Sequence, residues 1–267
     1  MSEFEVGPTS IVSFVCLVMC SVSGCTENSA KSRKVDRVPA SSAVSAPPTR
    51  TATNPLVRGS IVVLGSSTAA GTGPKDPRNA WVSRYGARLA EQFPNVTLVN
   101  LAVGGYTTFH IQPTGYAPPP NRPAPELGKN ITAALALKPR AIIINLPSND
   151  QANNYPLAEQ LANYERLANS ATSAHVELWI STTQPRNFSD SSQLDELTRA
   201  RDAIAKKFAP RTLDFWSPFA APNGFIQASY DAGDGTHLND AAHAILAQIV
   251  QAAHIPEQVA TPLPLPG

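Results

Sequence analysis

Cysteine is almost missing from this chain. Its three cysteines, Cys16, Cys20 and Cys25, all fall within the first 25 of 267 residues. Whatever folds after them does so without a disulfide and without a thiolate metal site. Charged residues make up 15% and aromatics 7%, and the formal net charge is +1. That balance gives no support for nucleic-acid binding, and no basic stripe is present. The apolar stretch Ile11–Met19 is far short of the ~20 residues that span a bilayer. Familiar ligand signatures are lacking too. A phosphate-binding P-loop needs four residues between its glycines and then Lys-Ser/Thr, but five separate Gly65 from Gly71, and Thr72 follows. A dinucleotide fingerprint would need glycine at position 76, where Asp76 stands, and the elbow G-x-S-x-G occurs nowhere.

What is present is one globular domain's worth of apolar residue, 42%, with 25 prolines gathered in clusters. The chain is organised around Ile61–Gly73. Ile61-Val-Val-Leu64 is a short unbroken apolar run, the mark of a strand buried on both faces of a parallel sheet. It ends abruptly in Gly65, Ser66, Ser67 and Thr68. In open α/β sheets ligands bind at the carboxyl ends of strands, so this exit is a good place for a nucleophilic hydroxyl.

Downstream, Trp81, Tyr85, Leu89 and Phe93 recur every four residues, which predicts a helix over 79–93 ended by Pro94-Asn95. Val96–Leu101 reads as the second strand. A loop with six prolines between Pro113 and Pro125 follows, then a short helix near 130–137 and a third strand over 140–146. Next come a helix over 156–174, a strand over 176–182, a helix over 191–208 and a weaker strand over 212–216. A final helix starts near Asn239 or Asp240, both good caps. Strict alternation of strand and helix means a parallel sheet covered on both faces.

The informative residues all lie just past strand ends: Ser67, Gly105, Asn149, Asp234 and His237. A serine hydroxyl becomes a nucleophile when a base takes its proton, a task suited to histidine near neutral pH. A carboxylate then fixes the imidazole tautomer, and one loop can carry both Asp234 and His237. The Ser67 and Gly105 amides and the Asn149 side chain could supply oxyanion donors. Asp231, Asp234, His237, Asp240 and His243 recur every three residues like a metal cage, but Gly233 and Gly235 break any helix there. Ser66 and Thr68 are alternative hydroxyls. His110 is a loop histidine, solvated or lining the pocket; His175 and His254 read as structural or exposed. Asp150 reads as an anchor for its own loop.

With these residues in view, the chain resembles the SGNH (GDSL-type) hydrolases, whose four blocks occur in order. They match Leu64-Gly-Ser-Ser67, Asn100 through Gly105, Pro147-Ser-Asn-Asp150 and Asp234-Gly-Thr-His237. The resemblance implies a flavodoxin-like three-layer α/β/α sandwich with a five-stranded parallel sheet over residues 57–255. It also implies hydrolysis of esters or thioesters without a metal or other cofactor. Ser67 is then the nucleophile, His237 the base and Asp234 its acid partner, with Ser67, Gly105 and Asn149 as the oxyanion hole. Ser66 stands where the family usually has aspartate, and Pro147 where it has glycine.

The expected substrate is a short-acyl ester, acetyl above all, of a polar alcohol such as an acetylated glycan. That expectation rests on Gln112, Tyr116, Asn121 and Arg122 in the proline loop, read as a fixed wall beside the pocket. The alternatives are a lipase, lysophospholipase or thioesterase of the same family, or a silent member that binds envelope glycans. Residues 1–25 read as an export leader, although residues 1–10 hold Glu3 and Glu5 and no Lys or Arg. Val22-Ser-Gly-Cys25 resembles the lipobox of bacterial lipoproteins, which implies lipidation at Cys25 and envelope anchoring; the alternative is plain secretion. Residues 26–56, rich in Ser, Ala, Pro and Thr, read as a disordered tether, and 256–267 as a loose proline-rich tail.

Overall fold

β1 (Gly59–Gly65) alternates its side chains across the sheet, and both sides are apolar because both are covered. Ile61 and Val63 enter one core, while Val62 and Leu64 enter the other; all four are fully buried. β3 (Ala141–Asn145) repeats the pattern beside it, with Ala141 and Ile143 on the first face and Ile142 and Ile144 on the second. Each such side chain contributes roughly 1.5–3 kcal/mol of hydrophobic stabilisation. With β2 (Val96–Asn100), β4 (Glu177–Ser181) and β5 (Thr212–Leu213) they form a five-stranded, all-parallel sheet in the order β2-β1-β3-β4-β5. The computed structural model describes residues 57–259. Cys25, the leader, the tether and residues 260–267 lie outside them.

Two single turns, α1 (Ser67–Ala70) and α4 (Asn149–Ala152), stand directly after β1 and β3 and were not expected from the sequence. α2 (Trp81–Gln92) buries Trp81, Tyr85 and Leu89 on the first face, as its four-residue spacing predicts. It starts later than expected because Pro77–Asn79 forms a separate 3₁₀ turn capped by Asp76. α3 (Ile131–Ala136) and α5 (Leu157–Ser173) cover the second face through Ile131, Ala134, Tyr164 and Leu167; α6 (Ser191–Lys207) adds Ile204 there. α7 (Asp240–Ala252) returns to the first face with Ala242, Leu246 and Val250. Asn239 is its cap, accepting from the Ala241 and Ala242 amides. Helices on both faces of the sheet make the three-layer α/β/α sandwich expected of the chain.

Three expectations change. The fifth strand pairs only over Thr212–Leu213, because the Asp214 carboxylate accepts from the Trp216 and Ser217 amides and turns the chain. Residues 256–258, read as the beginning of a loose tail, instead belong to α8 (Ile255–Gln258), where Ile255 and Pro256 are buried. The proline loop does not face the pocket. Its Arg122 pairs with Glu159 of α5 and lies 4.2 Å over the Tyr155 ring, and Tyr116 is covered by Arg166 of α5 at 4.3 Å. Gln112 is fully buried, donating to the Thr108 and Asn163 carbonyls. Those polar side chains are used in fastening the loop to α5.

Candidate active site

Gly65 and Ser66 carry the chain from β1 into α1 at the closest approach of two strands. A Cβ on Gly65 would lie 2.5 Å from the Asn145 carbonyl oxygen, so only glycine fits. The Ser66 amide donates to that same oxygen at 3.0 Å. Ser66 itself is fully buried and its hydroxyl finds no partner, which leaves the half-exposed Ser67 as the hydroxyl presented outward. Thr68, the other alternative, is buried and donates to Gln184. Asn100, at the exit of β2, steadies the same turn by donating to the Ala69 carbonyl at 2.8 Å.

His237 comes from a loop 170 residues away in sequence, and its Nε2 lies 3.0 Å from Ser67 Oγ. Its Nδ1 lies 2.6 Å from Asp234 Oδ2. An ionised carboxylate can only accept, so the ring proton belongs on Nδ1, and Nε2 is left to accept from the Ser67 hydroxyl. Partial burial works against the charge on Asp234. Hydrogen bonds from the His237 ring and from the His237 and Thr236 amides outweigh it and bring the carboxyl down to about 2. The loop is shaped by Asp231, whose Oδ1 accepts from the amides of Gly233, Asp234 and Gly235. Gly235 has φ 66°, the left-handed region, and a Cβ there would meet the Asn187 side chain at 3.0 Å. Asp231 thus serves as a turn former and Asp240 holds the Lys75 amide and Asn79, which gives the every-third-residue pattern a structural account.

Ser67 and His237 open onto a cleft of about 350 Å³ that Gly105, Asn149, Pro147 and Ser148 also line. The Asn149 side chain donates to the Tyr106 carbonyl at 2.9 Å, tying the turn after β3 to the loop after β2. All five sequence-selected residues therefore meet in one place. His110 is not part of the lining: its ring stacks on Tyr106 at 4.6 Å and its Nδ1 accepts from the Thr107 amide. His175 and His254 are exposed, at left-handed positions that end α5 and α7. A hollow of about 390 Å³ between α4, the start of α5 and the start of α6 contains none of these residues.

The loop after β4 escaped the sequence reading. Gln184 is buried, accepts from Thr68 Oγ1 at 2.9 Å and donates to the Thr236 carbonyl at 3.1 Å. It joins the turn bearing Ser67 to the loop bearing His237. Arg186, two residues on, lines the cleft with a half-buried guanidinium. The only signal available in sequence was polar residues, Thr182-Thr-Gln184, at a strand exit.

Two buried titratable groups flank the site. Asp150 is fully buried, as an anchor should be, accepting from the amide and hydroxyl of Thr108; burial outweighs these bonds and pushes its carboxyl up to about 6. Glu159 adds repulsion from α5. His243 is buried on α7 and accepts the Trp81 amide on Nδ1; burial brings it down to about 4, with Asp240 opposing and His237 and Arg84 assisting. Their linkages have opposite signs. Between about pH 4 and 6 the folded state holds a proton on Asp150 that the unfolded chain has released, so stability falls as pH rises. Between about pH 4 and 6.5 the unfolded chain protonates His243 while the folded state does not, so stability rises with pH. Each is worth about 3 kcal/mol over its window, and together they nearly cancel. Asp150→Asn should therefore expose acid lability between pH 4 and 6.5, and His243→Asn the opposite slope. Unfolding free energies across that range, compared with wild type, check this; three parallel profiles would refute it.

Fold and site together define a hydrolase of the SGNH type, built on a three-layer α/β/α sandwich. The chain belongs to the GDSL-like lipase/acylhydrolase family, whose model matches residues 63–245. Solved structures agree on the fold. The psychrotrophic esterase EstA from a Pseudoalteromonas species is 18% identical, with a TM-score of 0.52 over 73% of this chain and 96% of that one. A lipase/acylhydrolase from Enterococcus faecalis is 17% identical, with a TM-score of 0.54 over 77% and 99%. An acetyl xylan esterase, AlAXEase, is 12% identical, with a TM-score of 0.57 over 73% and 98%. A search of curated proteins gave no match.

Proposed function

We propose that the protein is a serine esterase that removes short acyl groups, acetyl above all, from polar alcohols through an acyl-enzyme. The observation that carries this is the unbroken hydrogen-bonded line from Ser67 through His237 to Asp234 at the mouth of the cleft. Ser67 Oγ attacks the acyl carbonyl as its proton passes to His237 Nε2, and Asp234 stabilises the imidazolium. The oxyanion is bound by the Ser67 and Gly105 amides and by the Asn149 side chain. Collapse breaks the ester C–O bond, and His237 returns the proton to the leaving alcohol. Water then attacks the acyl-Ser67 carbonyl with the same proton traffic, releasing the acid. No step in this scheme calls for a metal or cofactor.

The short-acyl preference is supported by the lining. Thr72, Ser148, Gln184, Arg186 and Thr236 surround the reacting groups, and among the described residues no leucine, isoleucine or phenylalanine joins them. The apolar surface there comes from Pro147 and the carbon atoms of short or polar side chains, not from the large aliphatic side chains that would line a long acyl channel. The acetyl xylan esterase among the structures sharing the fold is in keeping with an acetylated carbohydrate as substrate. The test is labelling of Ser67 by a fluorophosphonate, together with kcat/KM on acetyl, butyryl, octanoyl and palmitoyl esters. Failure to label would favour a silent glycan-binding member; activity climbing steadily beyond octanoyl would favour a lipase.

The same proposal places the enzyme at a bacterial envelope, anchored by a lipid on Cys25, on the strength of the Val22-Ser-Gly-Cys25 run. Mass spectrometry of protein expressed in a bacterial host should find a mature chain beginning at diacylated Cys25. A mature chain that starts elsewhere, with Cys25 unmodified or removed, would leave simple secretion.

A further inference from the structure

Among the described residues, Arg186 is the one side chain of the cleft lining that carries a fixed positive charge. Its surroundings do little to neutralise it. Among the described residues no carboxylate lies in ion-pair reach, and its one hydrogen bond, to Ser148 Oγ, is long at 3.4 Å. The nearest acidic influence is Asp234, whose carboxylate is already engaged by the His237 ring and by two amides. One face of the guanidinium is held against the Phe188 ring, 4.8 Å from its centroid. Phe188 is itself packed in a small buried cluster with Leu197 and Trp216. The fork is thus fixed in orientation while most of its five N–H donors remain unused.

The arginines that do form ion pairs in the described residues form them at the surface or on the α5 side, as Arg122 does with Glu159. Arg186 instead is half-buried beside the nucleophile, where burial disfavours its charge. A half-buried cation without an anionic partner is costly unless a ligand supplies the counter-charge. A planar carboxylate matches a guanidinium fork in two parallel hydrogen bonds, which a neutral hydroxyl cannot do.

We infer that Arg186 is an anion-recognition residue, and that the preferred ester has a carboxylate on its alcohol portion, as in an O-acetylated acidic sugar. This rests on the esterase reading above and narrows its substrate class. The acyl group enters towards Ser67 and Asn149, and the alcohol portion extends along the cleft so that its carboxylate meets Arg186. Charge-assisted bidentate contacts of this kind translate into roughly a ten- to hundredfold selectivity.

The test uses two substrates that differ only in charge: a mono-O-acetylated methyl glucuronoside with its free carboxylate, and the same compound as its carboxymethyl ester. Acetate release is measured at pH 7 for wild type, Arg186→Gln and Arg186→Lys. Wild type should favour the acid by about ten- to a hundredfold in kcat/KM. That ratio should fall to near one in Arg186→Gln and be partly kept in Arg186→Lys. A wild-type ratio near one would overturn the inference while leaving the esterase reading intact, as would a ratio that survives in Arg186→Gln. The second result would mean that the side chain serves the ester carbonyl or the loop alone. Should wild type release acetate from neither compound and Ser67 resist fluorophosphonate, the esterase reading falls, and the inference with it. If Arg186→Gln does not fold, the wild-type ratio and Arg186→Lys decide between the outcomes.

Discussion

Ser67→Ala is expected to lower ester turnover by at least about 10⁴-fold while the protein stays folded. The change removes one half-exposed oxygen whose hydrogen-bond partner is His237 Nε2, and it leaves the backbone bonds of α1 in place. α1 is fixed from elsewhere: the Ser66 amide holds the Asn145 carbonyl, Asn100 holds the Ala69 carbonyl, and Thr68 holds Gln184. Alanine fits a helical turn at least as well as serine. Loss of activity should therefore come without loss of thermal stability. His237→Ala should cost a similar factor, and the double variant should cost little more than either single one, because the two groups act as a unit. The measurement is kcat on nitrophenyl acetate for the three variants, with unfolding followed in parallel. Wild-type turnover in Ser67→Ala alongside inactivity in His237→Ala would assign the nucleophile to another residue.

Asn149→Ala should lower kcat by roughly 10²–10³ and change KM far less. The Asn149 Nδ2 group has two protons. One is held by the Tyr106 carbonyl at 2.9 Å, which fixes the plane of the amide and leaves the second for the cleft. A donor aimed at the oxyanion strengthens its bond as charge develops, so its removal is felt in the transition state. The neighbouring Asp150 anchor, buried against Thr108, keeps the α4 turn in place when the Asn149 side chain is shortened. That separation makes the kinetic result interpretable. Raised KM with unchanged kcat would turn Asn149 into a substrate-binding residue and place the oxyanion donors on the backbone alone.

Much of this site is legible in the sequence. Ile61–Leu64 and Ala141–Ile144 announce strands buried on two faces because no polar residue interrupts them. The spacing of Trp81, Tyr85 and Leu89 announces the helix face that covers the sheet. Gly65-Ser-Ser67 and the Asp234–His237 pair could be matched to chemistry because strand exits and tight loops are punctuated locally. These are short-range rules, set by the periods of helix and strand and by which backbone angles each residue tolerates.

Contacts between distant residues obey no such period, and there only the tertiary structure decided. That Thr68 would meet Gln184 across 116 residues, and Gln184 meet Thr236 across 52, leaves no trace in either segment. The proline loop shows the same limit from the other side. Its polar residues were visible, but whether they faced ligand or α5 depended on Glu159 and Arg166 presenting partners for them. Burial of Asp150 and His243, which sets their opposed pH responses, likewise arises from layers that close only when the sheet is assembled. Sequence determined which residues could do chemistry and at which strand ends they would stand. Long-range packing decided which of them share a cleft, and left Arg186 there with no carboxylate in ion-pair reach among the described residues.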